Sequence, residues 1–400
     1  MEQPINEFRR GALVLFACFV GIGVNLASMA YYATGIWIRP WQEEFGWTRA
    51  EIGAMQTLSV LTMMVLATFA GRLIDKYGLR LVTAISLAGY GILLLGFTQM
   101  TGALWQLYAL SIAYAVFGVA STGLAFTRAV NAYFKRHRGL ALGIALTSTG
   151  VVAYLMPKYM TPFVAENGWR AGFFIMFLIV MTAVPIVWFL IKDAPPQEEG
   201  DQENAEQSAG LTFAEAVRTP TFWKVAGIFF FISVAILGLI PALIPLLQDA
   251  GLSATEAGGL AAIMGLSVLI GRLLIGFVID RVFAPYVTAV VFGCTGLGCL
   301  ALTLGGVDYA IVTAIALGFA VGAEVDLIGY YTVRYFGLAH YGSIYGLQYS
   351  IFIFGAGVSP IYTGYIWDVT GSYDIALLMA AGLMLPVIIL ALSLPRFADE

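Results

Sequence analysis

Long apolar runs, separated by short polar or charged turns, fill almost the whole chain. Twelve of them reach the roughly 20 residues that a bilayer core demands of a helix. They cover approximately 11–36, 51–71, 79–99, 104–129, 138–160, 170–192, 222–247, 256–279, 284–305, 309–333, 342–365 and 373–394. A membrane β-barrel shows short alternating segments instead, so each run predicts one helical crossing. One stretch breaks the pattern. Asp193-Ala-Pro-Pro-Gln-Glu-Glu-Gly-Asp through Gly210 is acidic, polar and rich in turn residues, which predicts a flexible cytoplasmic linker. Leu211–Trp223 then reads as a short interfacial helix. Six spans precede this break and six follow. The expected fold is an all-α membrane protein with an N-terminal half over 1–192, a linker with its short helix over 193–221, and a C-terminal half over 222–400.

Composition agrees. Of 400 residues, 60% are apolar and 11% charged, and the mean hydropathy is +0.87, values that exclude an ordinary soluble protein. The 45 glycines favour close approach of helices, since small residues let membrane helices touch. The opening MEQPINEFRR mixes acid and base, and no small-residue cleavage site interrupts the first run, so no cleaved signal is expected. Lys and Arg crowd the turns on the side of the N-terminus, whereas Arg39, Arg49, Lys158 and Arg170 fall on the other. That bias predicts both termini in the cytoplasm of a bacterial-type inner membrane. Cys18, Cys294 and Cys299 lie within spans, without metal-like spacing. There is no His/Cys cluster, Gly-rich phosphate loop or soluble catalytic domain. The expectation is a monomer in the lipid bilayer, neither an enzyme nor a nucleic-acid binder, with no cofactor.

The halves repeat each other. Gly71-Arg-Leu-Ile-Asp75-Lys76 follows span two, and Gly276-Phe-Val-Ile-Asp280-Arg281 follows span eight. Tyr133-Phe134 precedes span five, and Tyr335-Phe336 precedes span eleven. Gly143 and Pro157 recur as Gly346 and Pro360 at an offset of 203. Matching, non-inverted halves imply a twofold axis along the membrane normal, with substrate near the midplane between them. Gly71-x-x-x-Asp75-Lys76-x-Gly78-x-Arg80 resembles the loop signature of the major facilitator superfamily. Three segments are similar to the monocarboxylate transporters and the oxalate–formate antiporters: Tyr133–Gly143, Arg272-x-x-x-Gly276 and Arg334-Tyr-Phe-Gly337. The resemblance implies transport by alternating access. It also implies that Asp75 faces a helix N-terminus, where the dipole favours an anion.

The charges inside spans carry the functional expectation. Arg272 is the only charge in Gly259–Ile279. An arginine at such depth costs about 2.5–3.5 kcal/mol to insert, and a cation kept there most often holds an anion. Arg272 precedes Asp280 by eight residues, and Asp326 precedes Arg334 by eight. If those ends are level, Arg272 and Asp326 share a depth about 12 Å from them, with Glu324 about 3 Å farther along. Residues two apart point in different directions, so one of Glu324 and Asp326 faces Arg272 squarely. The spans hold no histidine, so a carried proton must use one of these two acids. Desolvation favours the protonated form of a carboxyl and a nearby arginine the ionised form. A substrate carboxylate that takes over Arg272 therefore links anion and proton binding. A static ion pair between spans eight and ten is the competing reading. At the span ends, Asp75 with Arg128 and Asp280 with Arg334 form two similarly spaced pairs, read as gating locks or as plain interfacial charges.

The sequence departs from its relatives at two positions. Val268 stands where animal monocarboxylate transporters carry an aspartate, and Phe352 where the antiporters carry a lysine. One central cation suits one carboxylate per substrate. Asn25, Tyr31 and Tyr32 of span one, Tyr330 of span ten and Tyr349 of span eleven are candidate substrate contacts, although the tyrosines also suit an interfacial aromatic belt. Thr147, Ser148 and Thr149 either line a cavity or bond their own helix. The expected activity is symport of a small monocarboxylate, of the lactate or pyruvate type, with a proton. An organic-anion exchanger, in which Lys158 or Arg128 helps bind a second charge, a carrier of larger or aromatic acids, and a neutral-solute facilitator are the rivals.

Overall fold

The computed structural model describes residues 4–134, 137–191 and 210–397. The expected linker, apart from Gly210, lies outside the described residues, as do Lys135 and Arg136 of the fifth-span motif. Among the described residues, eleven helical stretches are long and apolar enough to cross a membrane. One of them, Ala284–Phe336, has 53 residues, about 80 Å if continuous and far beyond one crossing. It divides at the 3-10 turn Gly306–Tyr309 into helices Ala284–Gly305 and Ala310–Phe336. All twelve expected runs thus become helical crossings. Behind the linker, Phe213–Arg218 forms a short helix closed by a capping box between Thr212 and Glu215. Backbone and hydroxyl donation from Thr212 holds the Glu215 carboxyl below its ordinary range.

Two compact units emerge: Met1–Pro195 with Leu243–Gly265, and Pro196–Ala242 with Leu266–Glu400. The halves read from chain order, 1–192 and 222–400, do not foresee that Leu243–Gly265 packs in the first unit. The local cause is backbone contact. A Cβ on Gly258 would lie 2.6 Å from the Pro157 carbonyl oxygen, and one on Gly265 would lie 2.2 Å from that of Ala153.

In the first unit, two spans are interrupted by π turns, and at the first of them the Asn25 side chain accepts from the Ser28 N–H. Span one runs as Pro4–Val24, a π turn at Leu26–Ala30, and Tyr31–Phe45. Span five breaks likewise at Met156–Met160, behind Pro157. Trp41, Phe97 and Phe173 stack nearly parallel, at centroid distances of 5.0–6.4 Å. Trp169 donates to Glu44 at 2.6 Å, and Arg170 pairs with the same carboxylate at 2.7 Å. This aromatic block closes the end opposite the N-terminus. At the N-terminal end, Phe8 packs on Phe134 at 5.1 Å, and Glu7 lies 3.0 Å from His137 Nδ1.

In the second unit, span seven breaks between Pro220–Ile236 and Leu239–Asp249. Span eleven repairs the break: Ser359 accepts from the Gly238 N–H at 2.7 Å, and the Ser359 and Tyr362 hydroxyls both donate to the Val234 carbonyl. Such repair is obligatory where no water is at hand. Spans eight and ten touch backbone to backbone. A Cβ added at Gly322 would sit 2.6 Å from the Val268 carbonyl oxygen and 2.8 Å from the Arg272 nitrogen, and one at Gly271 3.0 Å from the Phe319 Cα. These glycines determine how near the charged side chains come.

Gly322→Ala is expected to force the two helices apart and lower stability by about 1–3 kcal/mol, the usual penalty for overpacking. Gly276→Ala, where a Cβ meets nothing within 4 Å, is the control and should leave the unfolding temperature unchanged. Thermal unfolding in detergent measures both.

Candidate functional site

Span eight, Ala254–Ile279, carries Arg272, and span ten, Ala310–Phe336, carries the two acids. Of these, Asp326 faces the arginine. Arg272 Nε lies 3.3 Å from Asp326 Oδ2, with side-chain exposures of 17% and 35%. The pair is therefore not sealed inside the protein. Glu324 is turned elsewhere. It is 4% exposed, and its Oε2 has no hydrogen-bond partner among the described residues. It nonetheless lies within electrostatic reach of Arg272, Asp326 and Tyr349. The expectation that only one acid meets Arg272 squarely thus resolves to Asp326.

Span eleven, Tyr341–Thr370, adds a stacked aromatic ladder. Tyr341 and Tyr345 have centroids 5.4 Å apart, Tyr345 and Tyr349 5.7 Å, and Tyr349 and Phe352 5.8 Å. The ladder lies on span ten, because a Cβ at Gly329 would be 3.4 Å from the Tyr341 hydroxyl and 3.9 Å from the Tyr345 ring. Tyr349 thereby comes near Glu324. Phe352 is buried as the last rung.

The other candidates are placed less simply. The Tyr330 hydroxyl donates to the Ile279 carbonyl at 3.1 Å, which turns it toward the end of span eight and not toward Arg272. In the first unit, Asn25 is buried and accepts from the Ser28 N–H at 3.0 Å. It caps the break in span one. Tyr31 and Tyr32 follow at that break, edge to face at 5.3 Å. Thr147, Ser148 and Thr149 each donate to a carbonyl of their own helix. Gln348 is fully buried and donates to the Phe222 carbonyl. Lys158 bonds the Tyr154 hydroxyl and lies over the Tyr159 ring, as an interfacial lysine does.

At the span ends, Arg128 and Asp75 form an ion pair at 2.5 Å, half and two-thirds exposed. An exposed pair of this kind adds about 0–1 kcal/mol to stability. Asp280 and Arg334, expected to match it, form no ion pair with each other among the described residues. The Arg334 guanidinium instead lies 4.5 Å above the Phe397 ring. The C-terminal segment thus supplies a π face to Arg334.

A second charged constellation escaped the sequence. Arg49, at the start of span two, is 2% exposed and pairs with Asp249 at the end of Leu239–Asp249. The contacts are 2.7 Å from Nη1 and 3.1 Å from Nη2, while Nε donates to Gln42 at 2.8 Å. Arg39 stands 4.0 Å from the same aspartate. In the sequence these were loop charges 200 residues apart, and no pattern paired them.

A model of the Major Facilitator Superfamily matches residues 18–360. The chain belongs to that superfamily and is a multi-pass membrane transporter. Proteins of similar sequence include monocarboxylate transporter 12 of Xenopus laevis, 26% identical over 72% of this chain and 70% of the relative. Another is the oxalate:formate antiporter of Oxalobacter formigenes, 26% identical over 89% and 84%. A third is the gallate transporter of Pseudomonas putida, 22% identical over 90% of each. The fold is similar to a crystal structure of a bacterial homolog of the human lysosomal transporter Spinster in an inward-facing, unoccupied conformation. The TM-score is 0.71, with 17% identity, covering 95% of this chain and 94% of that one.

Asp249→Asn would strand the Arg49 charge in a buried position. Breaking one partner of a buried pair costs about 3–5 kcal/mol. Because Asp249 is partly exposed, a loss toward the lower end is expected, read as a fall in unfolding temperature. No fall would show that the pair is incidental.

Proposed function

We propose that this transporter moves small monocarboxylates of the lactate or pyruvate type together with a proton, by alternating access, across a bacterial-type inner membrane with both termini cytoplasmic. One observation supports the reading: Arg272 of span eight forms an ion pair with Asp326 of span ten, and the pair is not sealed away. A guanidinium matches a carboxylate in charge and planar geometry. An arriving acid competes with Asp326 for it, and the displaced site takes up a proton on a carboxyl. Tyr349 is close enough to add a hydroxyl or a ring face to the bound acid. The exposed Asp75–Arg128 pair joins spans two and four at their cytoplasmic ends, where it stabilises the gating end of the first unit.

Two features favour other cargo. The oxalate:formate antiporter matches along most of this chain, which favours exchange of organic anions. The tyrosine ladder beside Glu324 favours a flat aromatic acid, and one relative carries the name of a gallate transporter. The missing second cation at Phe352 weighs against a dicarboxylate.

Reconstituted protein is tested for uptake of labelled lactate, pyruvate, formate, oxalate and benzoate, with an imposed pH gradient and with an ionophore. Uptake of a monocarboxylate that follows the gradient is expected. Uptake indifferent to it, yet dependent on preloaded anion, would establish exchange instead. Removing one partner of a buried charge contact costs about 2–5 kcal/mol. Arg272→Gln should therefore lower uptake at least about 30-fold below saturation. Full activity in that variant sinks the proposed cargo.

A further inference from the structure

Two carboxyl groups, two residues apart on span ten, share one guanidinium, and their surroundings differ. Asp326 engages Arg272 directly at 3.3 Å and is about one-third exposed. Glu324 is almost wholly buried, and one of its oxygens has no hydrogen-bond partner among the described residues. Gly322 explains the burial: it presses the backbone of span ten onto span eight just before Glu324. The charged and titratable groups within reach of Glu324 are Arg272 of span eight, Asp326 of its own helix and Tyr349 of span eleven. Spans seven and nine also pack on span ten. Span nine has no charged residue, and Lys224 of span seven is bonded to the Ser393 carbonyl near its helix start.

On the reading above, we infer that the acids divide the work: Glu324 carries the proton, Asp326 is the counter-ion that the substrate displaces, and Tyr349 positions the Glu324 carboxyl. The charges balance. The empty site holds Arg272, Asp326 and an ionised Glu324. The loaded site holds the same groups, an added anion and one added proton. Net charge at the site is one negative in both, so loading adds no charge that must cross the membrane interior. One O–H bond forms on Glu324 when the proton enters and breaks when the acid leaves, and nothing is oxidised or reduced. Protonating Asp326 would also free Arg272, but the incoming anion would then hold the guanidinium that offsets Glu324 in the empty site, leaving the more buried of the two acids ionised with less compensation. A buried charge of that kind is strongly disfavoured. The Tyr349 hydroxyl of span eleven, within electrostatic reach of Glu324, can act as donor or acceptor.

Two readouts in the same proteoliposomes test this. One is net uptake of labelled lactate driven by an inward proton gradient. The other is exchange of labelled for unlabelled lactate at equal pH on both sides. If wild type takes up no lactate or ignores the gradient, the symport reading itself falls, and this inference with it. Given a coupled wild type, Glu324→Gln is expected to lose net uptake by about tenfold or more while exchange is largely retained. Asp326→Asn is expected to keep the pH dependence of whatever uptake remains. The opposite pattern, pH dependence lost in Asp326→Asn and kept in Glu324→Gln, overturns the assignment. If Glu324→Gln loses both activities, Glu324→Asp decides. Net uptake with a displaced pH midpoint supports the role, and an unmoved midpoint or absent uptake refutes it. Tyr349→Phe should also displace the midpoint, and an unchanged profile removes Tyr349 from the proposal.

Discussion

A guanidinium in the hydrocarbon layer needs a counter-charge, and it needs one close by. Much of the second unit is arranged around that requirement. Asp326 comes within 3.3 Å of Arg272 because Gly271 and Gly322 bring the backbones of spans eight and ten into contact. Any larger residue at Gly322 meets a carbonyl oxygen and a backbone nitrogen, neither of which has a flexible end that can yield. Close packing and charge pairing are thus one feature of the structure, seen at the backbone and at the side chains.

The same economy governs the broken helices. A break releases backbone groups that hydrocarbon cannot satisfy, and at the breaks of spans one and seven the chain meets them with nearby side chains. Asn25 serves span one, and Ser359 and Tyr362 serve span seven. Polar residues that looked like candidate lining are therefore partly consumed by the scaffold. Asn25 is the clearest case. Tyr330 is another, its hydroxyl spent on the end of span eight. What remains beside the acids of span ten is the face formed by Tyr341, Tyr345 and Tyr349, whose rings stack because they recur every fourth residue on one helix.

The charges at the span ends show how a sequence repeat can mislead. Asp75 with Arg128 and Asp280 with Arg334 have almost the same spacing, yet only the first forms an ion pair among the described residues. Arg334 is captured by Phe397, a residue beyond the repeat. Spacing along the chain constrains depth but says nothing about a competing ring from the C-terminal segment. At the other end, Arg49 and Asp249 form a buried, two-contact pair that the repeat does not contain at all.

Much was legible without coordinates, because a bilayer imposes a one-dimensional rule. Apolar length alone separates twelve crossings, and the lone Arg272 and the nearby acids of span ten stand out against an apolar background. Their common depth followed from counting residues at a constant rise. Direction around the helix axis did not follow, since it depends on which neighbour lies on which side. Three-dimensional packing alone decided that Asp326 takes the arginine and Glu324 the buried position. Packing also consumed the hydroxyl of Tyr330, and placed Asp249 against Arg49 across 200 residues of chain. A charge is visible in a sequence, but its partner is chosen by distances that only the folded chain sets.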